Sequence, residues 1–231
     1  MISQTCCLGI ILSLLMSTAF AFAAEAKRVI VALGDSTTAG TPGFKSAREA
    51  PPHGLGDEES QYAYWIMKHH PDWKVINQGI NGQRSNEIAS RFDKDVAAVH
   101  PDTVIVLAGV NDLFQGRGSA DVIKSLTSIY EKSKSRKIRV VACTILPYNG
   151  MTPRVRRHMR EVNQWIREYA REHRLIFCDT FHLLEDAAHP GNLISTFDGY
   201  HPDVAGYRKM GEFIAERLEE EKQENIVPDT N

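Results

Sequence analysis

The order of apolar segments in this sequence predicts an α/β fold built on a parallel β-sheet. Five short β-rich runs alternate with longer segments whose apolar residues recur at helical spacing. Three of the five runs are almost continuously apolar, which is typical of strands covered on both faces. No internal repeat and no Pro- or Ser-rich linker interrupts the alternation. We therefore expect one domain whose sheet is buried between helices.

The individual elements follow from these runs in chain order. We predict strands at residues 28–33, 73–77, 103–108, 138–145 and 175–178. Helices are predicted at 61–70, 86–100, 121–133, 153–173 and 204–222. In the second of them, Ile88, Phe92, Val96 and Val99 share one face at helical spacing. Pro153 suits the first turn of the fourth helix, where its missing N–H has no intrahelical partner.

The first residues read as a secretory signal peptide rather than as part of the fold. No charged residue lies between Cys6 and Ala24, and the small residues around Ala21 and Ala23 offer peptidase sites. An uncleaved membrane anchor is the alternative, because the stretch approaches the roughly 20 residues that span a bilayer. We expect a signal peptide at 1–26, a domain at 27–222 and a flexible tail at 223–231. The mature protein would be secreted or periplasmic and would not span the membrane.

Composition excludes several classes of protein. The 231 residues are 42% hydrophobic and 24% charged, which does not fit a disordered or collagen-like chain. A net charge of −2 gives no electrostatic footprint for nucleic acid, and it does not indicate an oligomeric state. The mature chain keeps Cys143 and Cys178, both in apolar runs. They would form a disulfide in an oxidising compartment or remain buried thiols, and we favour the thiols.

Four short polar segments carry the candidate chemistry. Gly-Asp-Ser at 34–36, Asn-Gln-Gly-Ile-Asn-Gly at 77–82 and Gly-Val-Asn-Asp at 109–112 follow the first three strands. Asp-Gly-Tyr-His-Pro at 198–202 precedes the last helix. Each segment alone is ordinary turn or helix-cap chemistry. However, the carboxyl ends of parallel strands meet at one edge of the sheet, where ligands bind in such folds. We therefore expect the four segments to form one site.

These four segments resemble the blocks of the SGNH hydrolases, also called GDSL esterases. They occur in the family order, and the resemblance extends over residues 28–218. Thr37 stands where the family has leucine, directly after the serine. The resemblance implies a flavodoxin-like, three-layer α/β/α fold with a five-stranded parallel sheet in the strand order 2-1-3-4-5. It also implies an ester hydrolase.

A Ser-His-Asp triad is the catalytic arrangement that the resemblance implies. Ser36 would be the nucleophile, His201 its general base and acid, and Asp198 the group that orients His201. A spacing of three residues lets the Asp198 carboxylate reach one imidazole nitrogen and leaves the other nitrogen for the serine. Such chemistry needs no metal and no organic cofactor.

The same resemblance implies an oxyanion hole and its supports. The donors would be the backbone N–H groups of Ser36 and Gly82 and the side chain of Asn111. Gly79 is the alternative to Gly82, because both glycines lie in the second block. Asp35 and Asp112 would hold their loops in place.

Several functions remain open at this point. The leading hypothesis is a secreted serine esterase that hydrolyses short-acyl or acetyl esters, including esters on carbohydrates. Lysophospholipids and thioesters are alternative substrates, and a non-catalytic carbohydrate- or lipid-binding domain is the alternative from another class. A doubly wound nucleotide-binding domain is disfavoured because the glycine-rich phosphate fingerprint is missing. The loop at 41–60 is either a substrate wall or a surface excursion.

Overall fold

A computed structural model describes residues 28–224 of the chain. The predicted leader at 1–26 and most of the predicted tail at 223–231 lie outside these residues. The strands are β1 (Arg28–Gly34), β2 (Phe44–Lys45), β3 (Leu55–Gly56), β4 (Trp73–Gly79), β5 (Thr103–Leu107), β6 (Arg139–Cys143) and β7 (Ile176–Cys178). The helices are α1 (Ser36–Ala39), α2 (Tyr62–His69), α3 (Ser85–Ser90), α4 (Phe92–Asp95), α5 (Val110–Phe114), α6 (Ser119–Ser135), α7 (Pro153–His173), α8 (Thr180–Leu184) and α9 (Val204–Glu224).

Five strands form one parallel sheet in the order β4-β1-β5-β6-β7. Counted along this sheet alone, the order is 2-1-3-4-5, so the predicted fold class and strand order are confirmed. The remaining strands, β2 and β3, pair antiparallel as a small hairpin within the loop that follows α1. This hairpin was not predicted, because strands of two residues are too short to show an alternation of apolar and polar residues.

Helices cover both faces of the sheet and make the fold three-layered. Along β1, Val31 and Leu33 pack with residues of α3, α6 and α7. Ile30 and Ala32 point to the other face and pack with α2 and α9. Because successive residues of a strand face opposite sides, both sets must be apolar. This explains the continuous apolar runs in the sequence.

The prediction of one continuous helix at 86–100 is wrong. Residues 86–100 do not form a single helix but α3, α4 and a 3-10 turn at Ala97–Val99. The first break falls at Arg91, whose φ of −95° and ψ of 3° leave the helical path. The guanidinium of Arg91 is buried and donates to the Gly34 carbonyl at 2.8 Å. The break therefore coincides with a contact between this segment and the end of β1.

The two cysteines of the described residues are not bridged. Cys143 and Cys178 are both buried free thiols at paired positions of β6 and β7. This agrees with the preferred interpretation of both cysteines as buried thiols.

Residues 28–224 contain no helix with the length and hydropathy of a membrane span.

Candidate active site

A cavity of about 290 Å³ brings the four polar segments together. Ser36, Gly82, Asn111 and His201 all line it. The first three follow β1, β4 and β5, so they meet at the carboxyl edge of the sheet for the reason anticipated from the sequence. His201 enters from the loop that precedes α9.

A larger cavity, of about 550 Å³, lies beside α7 and α8. Its floor is apolar, with Met159 and Phe181, and its rim carries Arg160. None of the predicted site residues lines it. Because chemistry depends on convergent functional groups rather than on volume, the smaller cavity is the candidate active site.

A tight strand-to-helix turn positions Ser36. Gly34 ends β1, and a Cβ added there would lie 2.5 Å from the Leu107 carbonyl oxygen and 2.1 Å from the Thr38 hydroxyl. Asp35 is the N-cap of α1, and its side chain accepts the Thr37 N–H at 3.1 Å. Ser36 is then the first residue of α1 and is only 7% exposed. Its hydroxyl is thus held at the helix start beside the cavity.

The predicted triad has hydrogen-bonding geometry. His201 Nε2 lies 2.8 Å from Ser36 Oγ, and His201 Nδ1 lies 2.6 Å from Asp198 Oδ2. The second carboxylate oxygen of Asp198 accepts the backbone N–H groups of Tyr200 and His201, each at 2.8 Å. Burial opposes ionisation of Asp198, but these hydrogen bonds outweigh it and hold the pKa of the carboxyl below its usual value.

Asp-x-x-His spacing occurs three times in this chain, and only one pair meets a serine. His182 Nδ1 lies 3.0 Å from Asp179 Oδ2, and His189 Nδ1 lies 2.7 Å from Asp186 Oδ2. These two pairs have the local geometry of the Asp198 pair, but neither histidine lines the cavity. The spacing alone therefore did not distinguish the pairs.

Backbone donors beside Ser36 agree with the predicted oxyanion hole. Gly82 occupies the third position of a turn closed by Gln83 N–H to Ile80 O at 3.4 Å, with φ of +73°. Within the described part of the chain, the N–H groups of Ser36 and Gly82 have no hydrogen-bond partner. Asn111 Nδ2 donates one hydrogen bond, to Gln83 O at 3.0 Å, and keeps a second hydrogen.

Gly79 has a different position from Gly82. Its N–H donates to Asn77 Oδ1 at 2.9 Å, and an added Cβ would meet the Ala39 backbone nitrogen at 2.1 Å. The residue is therefore needed for the close approach of β4 to α1, and its N–H is not free for a ligand. The geometry favours Gly82 as the donor.

Buried polar groups hold the loop that carries Gly82. Asp112 accepts the Ser85 N–H at 2.7 Å and the Ser85 hydroxyl at 3.0 Å. Burial raises the pKa of the Asp112 carboxyl, although these hydrogen bonds act in the opposite direction. Arg91 Nε donates to Gln83 Oε1 at 2.7 Å, and Nη1 to Asp95 at 2.9 Å.

Asp112 was predicted from its motif, whereas Gln83, Ser85 and Arg91 were not predicted. Of these three, only Arg91 could have been noticed in the sequence, because its charge lies close to the apolar face of the helix predicted at 86–100. The carboxyl of Asp35 also belongs to this buried region: burial raises its pKa to about 7, and Asp112 adds to the effect.

An aromatic wall on one side of the cavity was also missed. Phe114, Tyr148 and Tyr200 line the cavity, and their ring centroids lie 5.8–6.0 Å apart. Phe114 is 58% exposed and Tyr200 is 50% exposed, whereas Tyr148 is buried. These rings come from three separate parts of the chain, the end of α5 and two loops, so no single motif signals them.

The loop at 41–60 does not line the cavity. Instead, it packs against the segment that leads to Gly82: Thr41 Oγ1 donates to Asn81 Oδ1 at 2.6 Å. The expectation of a substrate wall is therefore not met, and the loop is more than a surface excursion.

One group of potential metal ligands lies elsewhere in the described residues. Ligand atoms of His69, His70 and Glu219 all lie within 4.8 Å of one another. None of these residues lines the cavity.

Comparison with known proteins identifies the family of this chain. The model of the GDSL-like lipase/acylhydrolase family matches residues 32–209. An acetylxylan esterase from Geobacillus stearothermophilus is 26% identical over 149 residues, which cover 58% of this chain and 67% of that protein. An N-acylneuraminate cytidylyltransferase from Escherichia coli is 27% identical over 162 residues, which cover 68% of this chain but only 38% of that protein.

Among solved structures, one described as a lipolytic protein of the G-D-S-L family from Desulfitobacterium hafniense has the same fold. It superimposes with a TM-score of 0.70 at 26% identity and covers 83% of this chain and 99% of that one. The family match spans most of the 231 residues and contains all four polar segments. The chain therefore belongs to the GDSL-like lipase/acylhydrolase family, a family of carboxylic ester hydrolases.

Proposed function

We propose that this chain is an exported serine esterase that hydrolyses short-acyl esters through Ser36, His201 and Asp198. The observation that carries the proposal is the continuous chain of contacts from Asp198 through His201 to Ser36, with separations of 2.6 and 2.8 Å. A nucleophile within reach of a base that a third group orients is the arrangement that activates a serine. Family membership supports the same reaction.

The first half of the reaction makes an acyl-enzyme. Ser36 Oγ attacks the ester carbonyl carbon while its proton passes to His201 Nε2. Negative charge develops on the carbonyl oxygen, where the N–H groups of Ser36 and Gly82 and the Asn111 side chain donate hydrogen bonds. The C–O bond to the alcohol then breaks, and His201 returns the proton to the departing alcohol oxygen.

The second half repeats these steps with water. His201 Nε2 takes a proton from a water molecule that attacks the acyl carbon. The tetrahedral intermediate again places its charge on the carbonyl oxygen. Collapse releases the carboxylic acid and returns the proton from His201 to Ser36 Oγ. Asp198 keeps the Nδ1 proton of His201 in place throughout and stabilises the imidazolium form.

The cavity itself supports short-acyl substrates. Its volume of about 290 Å³ is near the lower end of small-molecule sites, which run from about 300 to 1,000 Å³. The aromatic wall of Phe114, Tyr148 and Tyr200 offers an apolar face to the alcohol part of the ester, such as a sugar ring. The similarity to an acetylxylan esterase favours an acetylated carbohydrate.

Replacement of the nucleophile tests the reaction. Ser36→Ala should abolish hydrolysis of p-nitrophenyl acetate and labelling by a fluorophosphonate probe, because both require the hydroxyl. Ser90→Ala is the control, since that serine is exposed and its hydroxyl donates to the Glu87 carbonyl of its own helix. Full activity in Ser36→Ala would refute the assignment, and an unlabelled, inactive wild-type protein would favour the binding-domain alternative.

A substrate series tests the acyl and alcohol preference. We expect faster hydrolysis of p-nitrophenyl acetate than of the octanoate, and release of acetate from acetylated xylo-oligosaccharides. Preference for the octanoate or for lysophosphatidylcholine would instead support the lipid-ester alternative. N-terminal sequencing of exported protein tests the leader: cleavage near residue 26 is expected.

A further inference from the structure

Three side chains of the loop that follows α1 bind the segment leading to Gly82. Ser46 Oγ donates to the Gly79 carbonyl at 2.6 Å, and Thr41 Oγ1 donates to Asn81 Oδ1 at 2.6 Å. Glu49 accepts the Asn81 backbone N–H at 2.8 Å and faces the Asn81 side-chain amide at 3.5 Å. Asn81 is thus held at its backbone nitrogen and at its side chain by one neighbouring loop.

Asn81 occupies the position of the turn that sets the orientation of the Gly82 N–H. The turn runs from Ile80 to Gln83 and has Gly82 at its third residue, with φ of +73°. A positive φ at that residue is typical of a type II turn. Rotation of the Asn81–Gly82 peptide would convert the turn to type I and reverse the direction of the Gly82 N–H.

The opposite end of the turn is held from within the protein. Gln83 O accepts Asn111 Nδ2 at 3.0 Å, and Gln83 Oε1 accepts the buried Arg91 at 2.7 Å. The first, second and fourth residues of the turn are therefore all engaged, since Ile80 N–H donates to Gly34 O at 3.2 Å. The Gly82 N–H is left without a partner in the described part of the chain.

We propose that Glu49 is a positioning residue that locks this turn, so that the Gly82 N–H is fixed as an oxyanion donor before substrate binds. The proposal rests on the proposed esterase function. Glu49 itself does not line the cavity and acts only through Asn81. Preorganised donors favour the transition state because they need no rearrangement when charge develops. The loop at 41–60 thus serves catalysis without touching the substrate.

Substitution of Glu49 separates this role from simple folding. We expect Glu49→Ala to lower kcat and kcat/KM for p-nitrophenyl acetate equally, by about 10-fold or more, with KM within about twofold, as for a contact used only in the transition state. The loss should stay below the roughly 10²–10³-fold expected when a donor itself is removed. Glu49→Gln keeps an oxygen that accepts the Asn81 N–H and should recover most of the activity.

Two further measurements make the test specific. The inhibition constant of phenylboronic acid, which forms a charged tetrahedral adduct, should rise in Glu49→Ala in proportion to the loss of kcat/KM. Glu58→Gln is the matched control: Glu58 lies in the same loop and is exposed, and its backbone carbonyl rather than its side chain accepts a hydrogen bond, from the Gln61 N–H at 3.3 Å, so the variant should behave as wild type. If Glu49→Ala fails to fold, Thr41→Val removes the second hold on Asn81 and should lower kcat in the same way.

The outcomes for this proposal differ from those for the esterase itself. Wild-type kcat in a folded Glu49→Ala protein would overturn the positioning role while leaving the esterase intact. A raised KM with unchanged kcat would also overturn it, because that pattern indicates substrate contact. An inactive wild-type protein would overturn the proposed function first.

Discussion

Asp198→Asn changes one atom of the triad and retains its shape. An asparagine can place its side-chain oxygen where Asp198 Oδ1 accepts the Tyr200 and His201 N–H groups, so the loop keeps both 2.8 Å hydrogen bonds. The new amide nitrogen then faces His201 Nδ1, where the carboxylate oxygen lies at 2.6 Å. Two donors cannot face each other, so the imidazole must carry its proton on Nε2.

That tautomer removes the base from the reaction. Nε2–H points at Ser36 Oγ, 2.8 Å away, and cannot accept its proton. We expect kcat for p-nitrophenyl acetate to fall by about 10⁴-fold, the loss known for the wrong tautomer in a serine protease triad. At 1.36 kcal/mol per tenfold, this is about 5 kcal/mol of activation free energy. Stability should change by no more than about 1 kcal/mol, since Asp198 is one-third exposed.

The control uses a second pair with the same local geometry. Asp186→Asn alters the contact between Asp186 and His189, whose side chains lie 2.7 Å apart. His189 does not line the cavity that contains Ser36. Its kcat should match the wild-type value. Steady-state rates and thermal melts of both variants are the assay, and ¹⁵N NMR reports the His201 tautomer. More than a tenth of the wild-type rate in folded Asp198→Asn would refute this reasoning.

Three more predictions address the surrounding groups. Asn111→Ala should lower kcat by about 10²–10³-fold with little change in KM, because one oxyanion donor is lost, and steady-state kinetics checks this. Since burial raises the pKa of Asp35 to about 7, the folded chain holds that proton more tightly than the unfolded chain, so the free energy of unfolding should fall as pH rises from about 4 to 7. Urea titrations of Asp35→Asn should lack this decrease, which amounts to about 4 kcal/mol in total at 1.36 kcal/mol per pKa unit and an ordinary Asp pKa of about 3.9. An unchanged decrease over the same pH range would contradict the prediction. Arg91→Met removes the 2.9 Å partner of Asp95, which is 2% exposed, and leaves it only the longer contact with Arg48 at 3.5 Å, so the variant should cost about 3 kcal/mol in the same titrations.

The main elements of the fold were predictable because their signals are local. Short β-rich runs marked all five strands of the sheet, and the boundaries of α7 were predicted without error. The single helix expected at 86–100 was wrong because apolar spacing continues across the break at Arg91. The contacts of Arg91 with Gly34, Gln83 and Asp95 are made by the folded chain, and no periodicity reports them.

The predicted site residues meet in space, but their surroundings were not readable. Four ordered blocks identified Ser36, Asn111 and His201, which the structure places around one cavity. The aromatic wall was missed because its rings come from separate segments of the chain. The loop at 41–60 was ambiguous because its function depends on Thr41, Ser46 and Glu49 reaching a turn about 30 to 40 residues away.

The sequence by itself determined the family, the layered α/β architecture and the candidates for the reacting groups. These depend on residue type, on periodicity and on short spacings, all of which are local along the chain. The Asp-x-x-His spacing occurs three times, and only the tertiary structure shows that the pair in the fourth block contacts a serine, because 165 residues separate Ser36 from His201. The tertiary structure also favours Gly82 over Gly79 as a donor, since the Gly79 N–H bonds Asn77 whereas the Gly82 N–H has no partner within residues 28–224. Long-range contacts have no counterpart in local pattern, and they set the geometry that the proposed chemistry requires.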